Sequence, residues 1–466
     1  MTAVWAAIRS SLAMALALLV TQGAGGPSAW AVPPANESGV VGRQSPVQPL
    51  APTELEDGRY FGPELDWSGA DAAGYVDQTG VTPSFFSRPF SYPLQEALVR
   101  DLRDTALQAA TLGSAVVVTL EPSKPLAELT ENDATDLAGV LELAGEEYGT
   151  AFFVRFAPEM NGTWYEWGQQ PEDYVSAFQT VASAVHAGAP SAAMLWAPSY
   201  AAGYPFTESY GALEGSEDAK IQALDTNGNG LVETGDDPYR PYYPGDDAVD
   251  WVGLSMYHYG SYEPGAIADI DDPREYSGAI ITSVLPEQDK FRRQLEGTYG
   301  MPPGAPTIDF AKEYGAERGQ RFFVQTAALY DPADPDSAEE TDIKTAWLEQ
   351  LFDPAIAEEY PEIGMISWLE LVRPEPEAEG RTVDWRLGAE EATSAALRQT
   401  LQEAPDVLLA PVVDQYVQEE ASETAAEVSN QGMGTTIVVW VSAAAVALVV
   451  LWLIAMAVRP ARRRQD

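Results

Sequence analysis

Eight short runs of β-branched, aromatic or other apolar residues, most of them followed by apolar residues at helical spacing, leave this chain few ways to fold. The runs are Arg59–Gly62, Pro83–Ser91, Ser114–Leu120, Ala151–Phe156, Ala192–Trp196, Asp250–Tyr257, Pro306–Lys312 and Ile363–Leu371. Helical spacing lies between them, as in 94–112, 171–187, 341–359 and 389–401. Strand alternating with helix over residues 55–402 predicts the α/β class, as one parallel (β/α)8 TIM barrel rather than several small domains. No internal repeat points to a solenoid. A barrel of this kind carries its chemistry at the C-terminal ends of its strands, so the residues that close the runs are the candidate site.

Those residues are acidic and aromatic. Glu121 closes the third run, Glu159 the fourth, Glu313 the seventh and Glu370 the eighth. Trp164 and Trp167 follow the fourth run, Trp196 ends the fifth, Tyr257 and His258 follow the sixth, and Trp368 lies on the eighth. Sugars present C–H faces to aromatic rings and hydroxyls to carboxylates, so the mixture reads as a saccharide cleft. Strand alternation puts Arg155, Ala157 and Glu159 on one face, and an inward arginine beneath a glutamate is costly unless both are used.

The two ends stand apart from the barrel. Ser11–Val20 is an apolar core too short to span a bilayer, followed by Ala29-Trp30-Ala31, so residues 1–31 read as a signal peptide and 32–54 as a Pro-rich lead. Residues 403–436 read as an acidic stalk, 437–458 as an uncharged transmembrane helix and 459–466 as a basic cytoplasmic tail. The expectation is an extracellular barrel held to the cell membrane by one C-terminal span.

The chain has 71 acidic against 26 basic residues, a net charge of −45, which repels nucleic acid and suits cations or neutral substrates. With no cysteine, disulfides and thiolate chemistry are excluded. His186 and His258 are the only histidines, too few for a His-rich metal site, and no catalytic cofactor is expected. An insertion at about 205–245 carries DTNGNGLVETGD, which fits a twelve-residue calcium loop with Asp225, Asn227, Asn229, the Leu231 carbonyl, Glu233 and Asp236 as ligands. Structural Ca²⁺ is expected there. Asn36 and Asn161 both stand in glycosylation sequons, and Asn161, in the expected cleft, is predicted to be bare.

EMNGTWYEWG with Glu159, WAPS at Trp196, DWVGLSMYHYG around Tyr257, AKEYG with Glu313, and ISWLEL followed by DWRLG together resemble the successive signatures of glycoside hydrolase family 26, the β-mannanase family. The resemblance spans nearly the whole of residues 55–402. It implies a retaining endo-β-glycanase with Glu159 as acid/base and Glu313 as nucleophile. It further implies that Tyr257 hydrogen-bonds the nucleophile, that Trp368 floors a sugar subsite and that Arg155 lies beneath the acid/base residue. Glu121, Trp164, Trp167, Trp196, His258 and Glu370 complete the expected substrate-binding set. Pro158 stands where the family has a histidine, and it offers no side-chain donor. The polysaccharide therefore stays open among β-mannan, β-glucan and β-xylan. Two alternatives stand beside hydrolysis: a catalytically weak or inactive polysaccharide-binding receptor or scaffold, and trimming of a self-made exopolysaccharide at the cell surface.

Overall fold

The computed structural model describes residues 51–52, 55–206, 222–262, 280–301 and 304–416. The expected signal peptide, most of the lead, and the transmembrane helix and tail lie outside these residues. Among the described residues no helix is long and apolar enough to cross a membrane.

Eight parallel strands form the frame: β1 (Arg59–Leu65), β2 (Phe85–Tyr92), β3 (Ala115–Pro122), β4 (Phe152–Phe156), β5 (Ala192–Trp196), β6 (Trp251–Ser255), β7 (Arg321–Thr326) and β8 (Ile363–Glu370). Each pairs with the next, and β8 returns to pair with β1 in a register that sets Tyr60 opposite Met365 and Leu65 opposite Glu370. The sheet is a closed parallel barrel, consistent with the (β/α)8 expectation. Helices α1 (Ala72–Thr79), α2 (Glu96–Leu112), α3 (Glu131–Tyr148) and α4 (Pro171–Gly188) cover the first half, and α5 (Lys290–Leu295), α6 (Glu340–Leu351), α7 (Pro354–Glu359) and α8 (Glu391–Glu403) the second. Local chemistry sets their limits. Thr130 and Asp133 form a reciprocal capping box at the start of α3, and Gly149, at a φ of 75°, ends it in the left-handed conformation.

One inward side chain from each strand fills the lower lumen: Tyr60, Phe85, Val117, Phe153, Leu195, Trp251, Phe323 and Met365 form one buried cluster. Two residues further along, or four on β6, inward positions turn polar, with Thr119, Arg155, Ser255, Gln325 and Ser367 all buried. The lumen is thus apolar at its floor and polar toward its mouth, which fixes the end at which chemistry can occur.

The seventh strand corrects the sequence reading. Pro306–Lys312 does not pair with the barrel, and Arg321–Thr326 takes the place between β6 and β8. Phe310 packs against Trp196 and Tyr314 outside the barrel wall, and Ala311–Gly315 forms a single wide helical turn. The aromatic and β-branched run Phe322-Phe323-Val324 has the stronger claim to a strand buried on both faces.

The start of the expected stalk is also corrected. After α8 the chain turns back under the barrel, where Val407–Leu408 pairs with Arg59–Tyr60 and the amides of Val412 and Val413 donate to the carbonyl of Gly113. Val413 joins the lumen cluster from below, with Leu55, Leu408 and Val412 packed beside it. Residues 404–416 therefore close the barrel floor, because three apolar side chains find cover there that a solvated spacer would not provide.

Candidate functional site

The site grows from the end of β4. Phe153 faces the lumen, so Arg155 does too, and the strand stops at Phe156. Ala157 and Glu159 then take φ values of 42° and 58°, a left-handed conformation that non-glycine residues seldom adopt and that concentrates at functional loops. These turns carry Glu159 back over the barrel mouth. Glu159 Oε1 lies 3.9 Å from Arg155 Nη2, and Oε2 accepts the indole N–H of Trp164 at 2.8 Å. Arg155 also donates to Ser255 Oγ at 2.8 Å, which ties β4 to β6. Alternation along a strand correctly puts Arg155 beneath Glu159, although the contact is made by chain that has already left the strand.

The loop that follows is held by its own aromatic residues. Trp167 is buried, donates its indole N–H to the Pro158 carbonyl at 2.9 Å and stacks on Tyr165 with ring centroids 4.3 Å apart. Asn161 is fully buried, and its amide both donates to and accepts from the backbone of Ser199 at 2.8 Å. Its side-chain nitrogen is thereby committed to a buried bond that a glycan would break, and the β4 loop is pinned to the β5 loop.

Two further carboxylates share this mouth. Glu64 stands near the end of β1, where Ser87 Oγ donates to it at 3.3 Å. Burial pushes its carboxyl up, opposed by the positive charges of Arg155 and Arg373 and reinforced by Glu159. Glu121, near the end of β3, is raised by burial and then by the charge of Glu64. Tyr257, half-buried beyond β6, is held in its neutral form by burial first and by the Glu159 charge next. Glu64, Glu121, Glu159, Arg155, Arg373, Tyr165 and Tyr257 thus belong to one electrostatic neighbourhood. The sequence reading missed Glu64 and Arg373. Glu64 could have been found had the first run been extended by two residues.

Other expected site residues lie elsewhere. Glu313 sits on the wide turn before β7, and the charges acting on it are those of Asp237, Arg318, Glu317 and Arg240, none of which is among those acting on Glu64 or Glu121. Burial is the first cause that raises its carboxyl. The residues that do close β7, Gln325, Thr326, Ala327 and Ala328, carry no carboxylate. Trp196 follows the inward Leu195 and so points out of the barrel, fully buried against Phe310 and Tyr314. Trp368 and Glu370 likewise alternate with the inward Met365 and face outward. Trp368 is fully buried and donates to the Trp385 carbonyl at 2.8 Å. Glu370 accepts the amides of Leu387 and Gly388 at 2.9 and 3.2 Å, and burial pushes it up to about 7. His258 is fully buried outside the mouth, bonded to the Val284 carbonyl at 2.7 Å and to Lys290 Nζ at 3.0 Å. Each of the four serves packing or loop closure.

The loop at 225–236 fits calcium at its start more closely than at its end. Asp225 accepts the amides of Gly228, Asn229 and Gly230, a cradle that suits the first ligand of a calcium loop. Asp236 is fully buried, and both of its oxygens accept N–H groups, from Thr226, Asn227 and Glu233. Asn229 donates to Glu233 Oε1 at 2.6 Å. Among the described residues no three acidic or histidine side chains converge as a metal group. The start of the loop fits the ion, and its closing carboxylate is turned toward the backbone.

No family model and no curated protein matches this chain. Solved structures with a related outline include an endo-β-1,4-mannanase double mutant from Cellulomonas fimi, at 15% identity and a TM-score of 0.46, covering 78% of this chain and 75% of that one. A GH26A protein from Muricauda sp. MAR_2010_75 is 11% identical with a TM-score of 0.42, covering 78% of this chain and 94% of that one. The catalytic domain of a Bacillus sp. JAMB-750 GH26 endo-β-1,4-mannanase is 12% identical with a TM-score of 0.42, covering 78% and 90%.

Proposed function

We propose that the barrel mouth binds a β-linked polysaccharide and that the chain is a glycoside hydrolase in which Glu159 supplies the proton for the leaving oxygen. The observation that carries this reading is the placement of Glu159. It hangs over the polar end of the lumen, oriented by the Trp164 indole and by Arg155, with the carboxylates of Glu64 and Glu121 in its electrostatic neighbourhood. Hydrolysis needs a second carboxylate, and in this reading Glu64 takes the part the sequence suggested for Glu313. As the glycosidic C–O bond breaks, the Glu159 proton passes to the leaving oxygen. Glu64 bonds the anomeric carbon as that bond breaks; water then displaces Glu64, its hydroxyl going to the anomeric carbon and its other proton returning to Glu159, so atoms and charge balance.

A second reading is binding without cleavage, favoured by the lack of a carboxylate among the residues that close β7. A panel of β-mannan, mixed-linkage β-glucan, β-glucan and β-xylan decides between them. Reducing ends released by the native chain, abolished in Glu159→Gln and Glu64→Gln and kept in Glu313→Gln, support hydrolysis through Glu64. Activity lost in Glu313→Gln and kept in Glu64→Gln would return the role to Glu313. Binding on the panel with no product supports the second reading. The anomeric configuration of the first product, followed by NMR, separates double displacement from a single inversion.

The location is proposed from sequence alone: a cell-surface protein exported by residues 1–31 and anchored by 437–458. Membrane fractionation with protease protection of the barrel tests it. The 225–236 loop is proposed as a structural calcium site on the strength of the Asp225 cradle. No nucleic acid partner is proposed.

A further inference from the structure

We propose that Arg373 is a substrate-binding residue that reads vicinal hydroxyls on a neutral sugar ring lying between it and the carboxylates Glu64 and Glu121. This rests on the saccharide reading above. Arg373 comes from a hairpin that follows β8, in which Val372–Glu375 pairs antiparallel with Arg381–Asp384. Its Nε donates to Glu375 Oε1 at 2.5 Å, and Glu375 is itself buried, held at the same oxygen by the Trp385 indole N–H at 2.9 Å. Trp385 packs with Tyr257 and Tyr259, all ring centroids 5.4 to 5.6 Å apart, so the base of the finger stands on three rings.

The guanidinium itself stays open. Its side chain is 43% exposed, and among the described residues its Nη groups make no hydrogen bond. Glu64 lies opposite Leu369 at the C-terminal end of β8, four residues before Arg373, and Trp385 rests on Tyr257 beyond β6, which places the hairpin at the mouth; the Arg373 charge acts on Glu64, Glu121, Tyr165 and Tyr257. One edge of the planar fork is fixed by Glu375 and the other is free, a pre-organised donor pair. Adjacent hydroxyls accept from such a pair and donate their own protons to carboxylates on the other side. An anionic sugar is disfavoured, because three glutamates face two arginines at this mouth.

The test uses the full chain and whichever panel polymer it binds most tightly, before and after chemical O-acetylation. Acetylation removes the O–H donors, and a site built to bond them rejects the capped polymer. The native chain should lose about ten- to hundredfold in affinity on acetylation, the range expected for hydrogen bonds to charged groups. Arg373→Ala should weaken binding of the uncapped polymer by a similar factor and still reject the capped polymer through Glu64 and Glu121, measured at a temperature where its melt shows it folded, since the buried Glu375 loses its ion-pair partner. Arg373→Lys should not rescue, because a point charge lacks the fork. Undiminished affinity for the uncapped polymer in Arg373→Ala would overturn the proposal, as would full rescue by lysine. A native chain that binds none of the panel polymers sinks the saccharide reading itself, and this proposal with it.

Discussion

At the scale of single residues, a carboxyl sealed behind the eighth strand has to be discharged to be comfortable. Glu370 is raised from 4.5 to about 7 by burial, against the pull of the Leu387 and Gly388 amides. Between those two values the unfolded chain has already lost the proton that the folded chain still holds. Stability therefore falls as pH rises from about 4.5 to about 7 and is flat above, by a total of roughly 3 kcal/mol. Denaturant melts at pH 5 and pH 8 should show this decline, and Glu370→Gln should flatten it. Glu159→Gln, by contrast, should leave the melts alone and lower the hydrolytic rate by about a hundred- to ten-thousandfold, measured as released reducing ends. These two glutamates were equally visible as acids near strand ends. What separated them was face: Met365 looks into the lumen, so Glu370 cannot. Arg373 was not legible, since nothing in its local sequence shows that Glu375 and Trp385 aim it at the mouth.

At the scale of elements, seven of the eight strands could be read from the sequence within a few residues of their ends, because each is an apolar run bounded by turn residues. The seventh could not. Both Pro306–Lys312 and Arg321–Thr326 are short apolar stretches, and only pairing with β6 and β8 chooses between them. A site argument built on strand ends inherits such an error whole, which is how Glu313 entered it. The 225–236 loop differs in kind, because its expected ligands all lie within twelve residues and do not depend on strand pairing. Calcium should raise the melting temperature of the native chain, chelation should lower it, and Asp225→Ala should make it insensitive to both. An unchanged midpoint in the native chain would remove the ion from the account, leaving an asparagine-rich turn organised by Asp236.

At the scale of the whole molecule, the floor of the barrel is completed by chain from both sides of it. Leu55 arrives before β1, and Leu408, Val412 and Val413 return after α8. Apolar side chains of this size contribute about 1.5–3 kcal/mol each when fully buried, so a chain truncated after Glu403 should melt well below one truncated after Tyr416. Differential scanning calorimetry on the two truncations checks it. The amide of Tyr416 bonds to the Ala110 carbonyl at the same floor, so the described chain both enters and leaves at the end opposite Glu159. Among the described residues, both crossings therefore lie at the floor and away from the rim. On the saccharide reading proposed above, a polymer longer than the barrel can pass the rim without meeting either crossing.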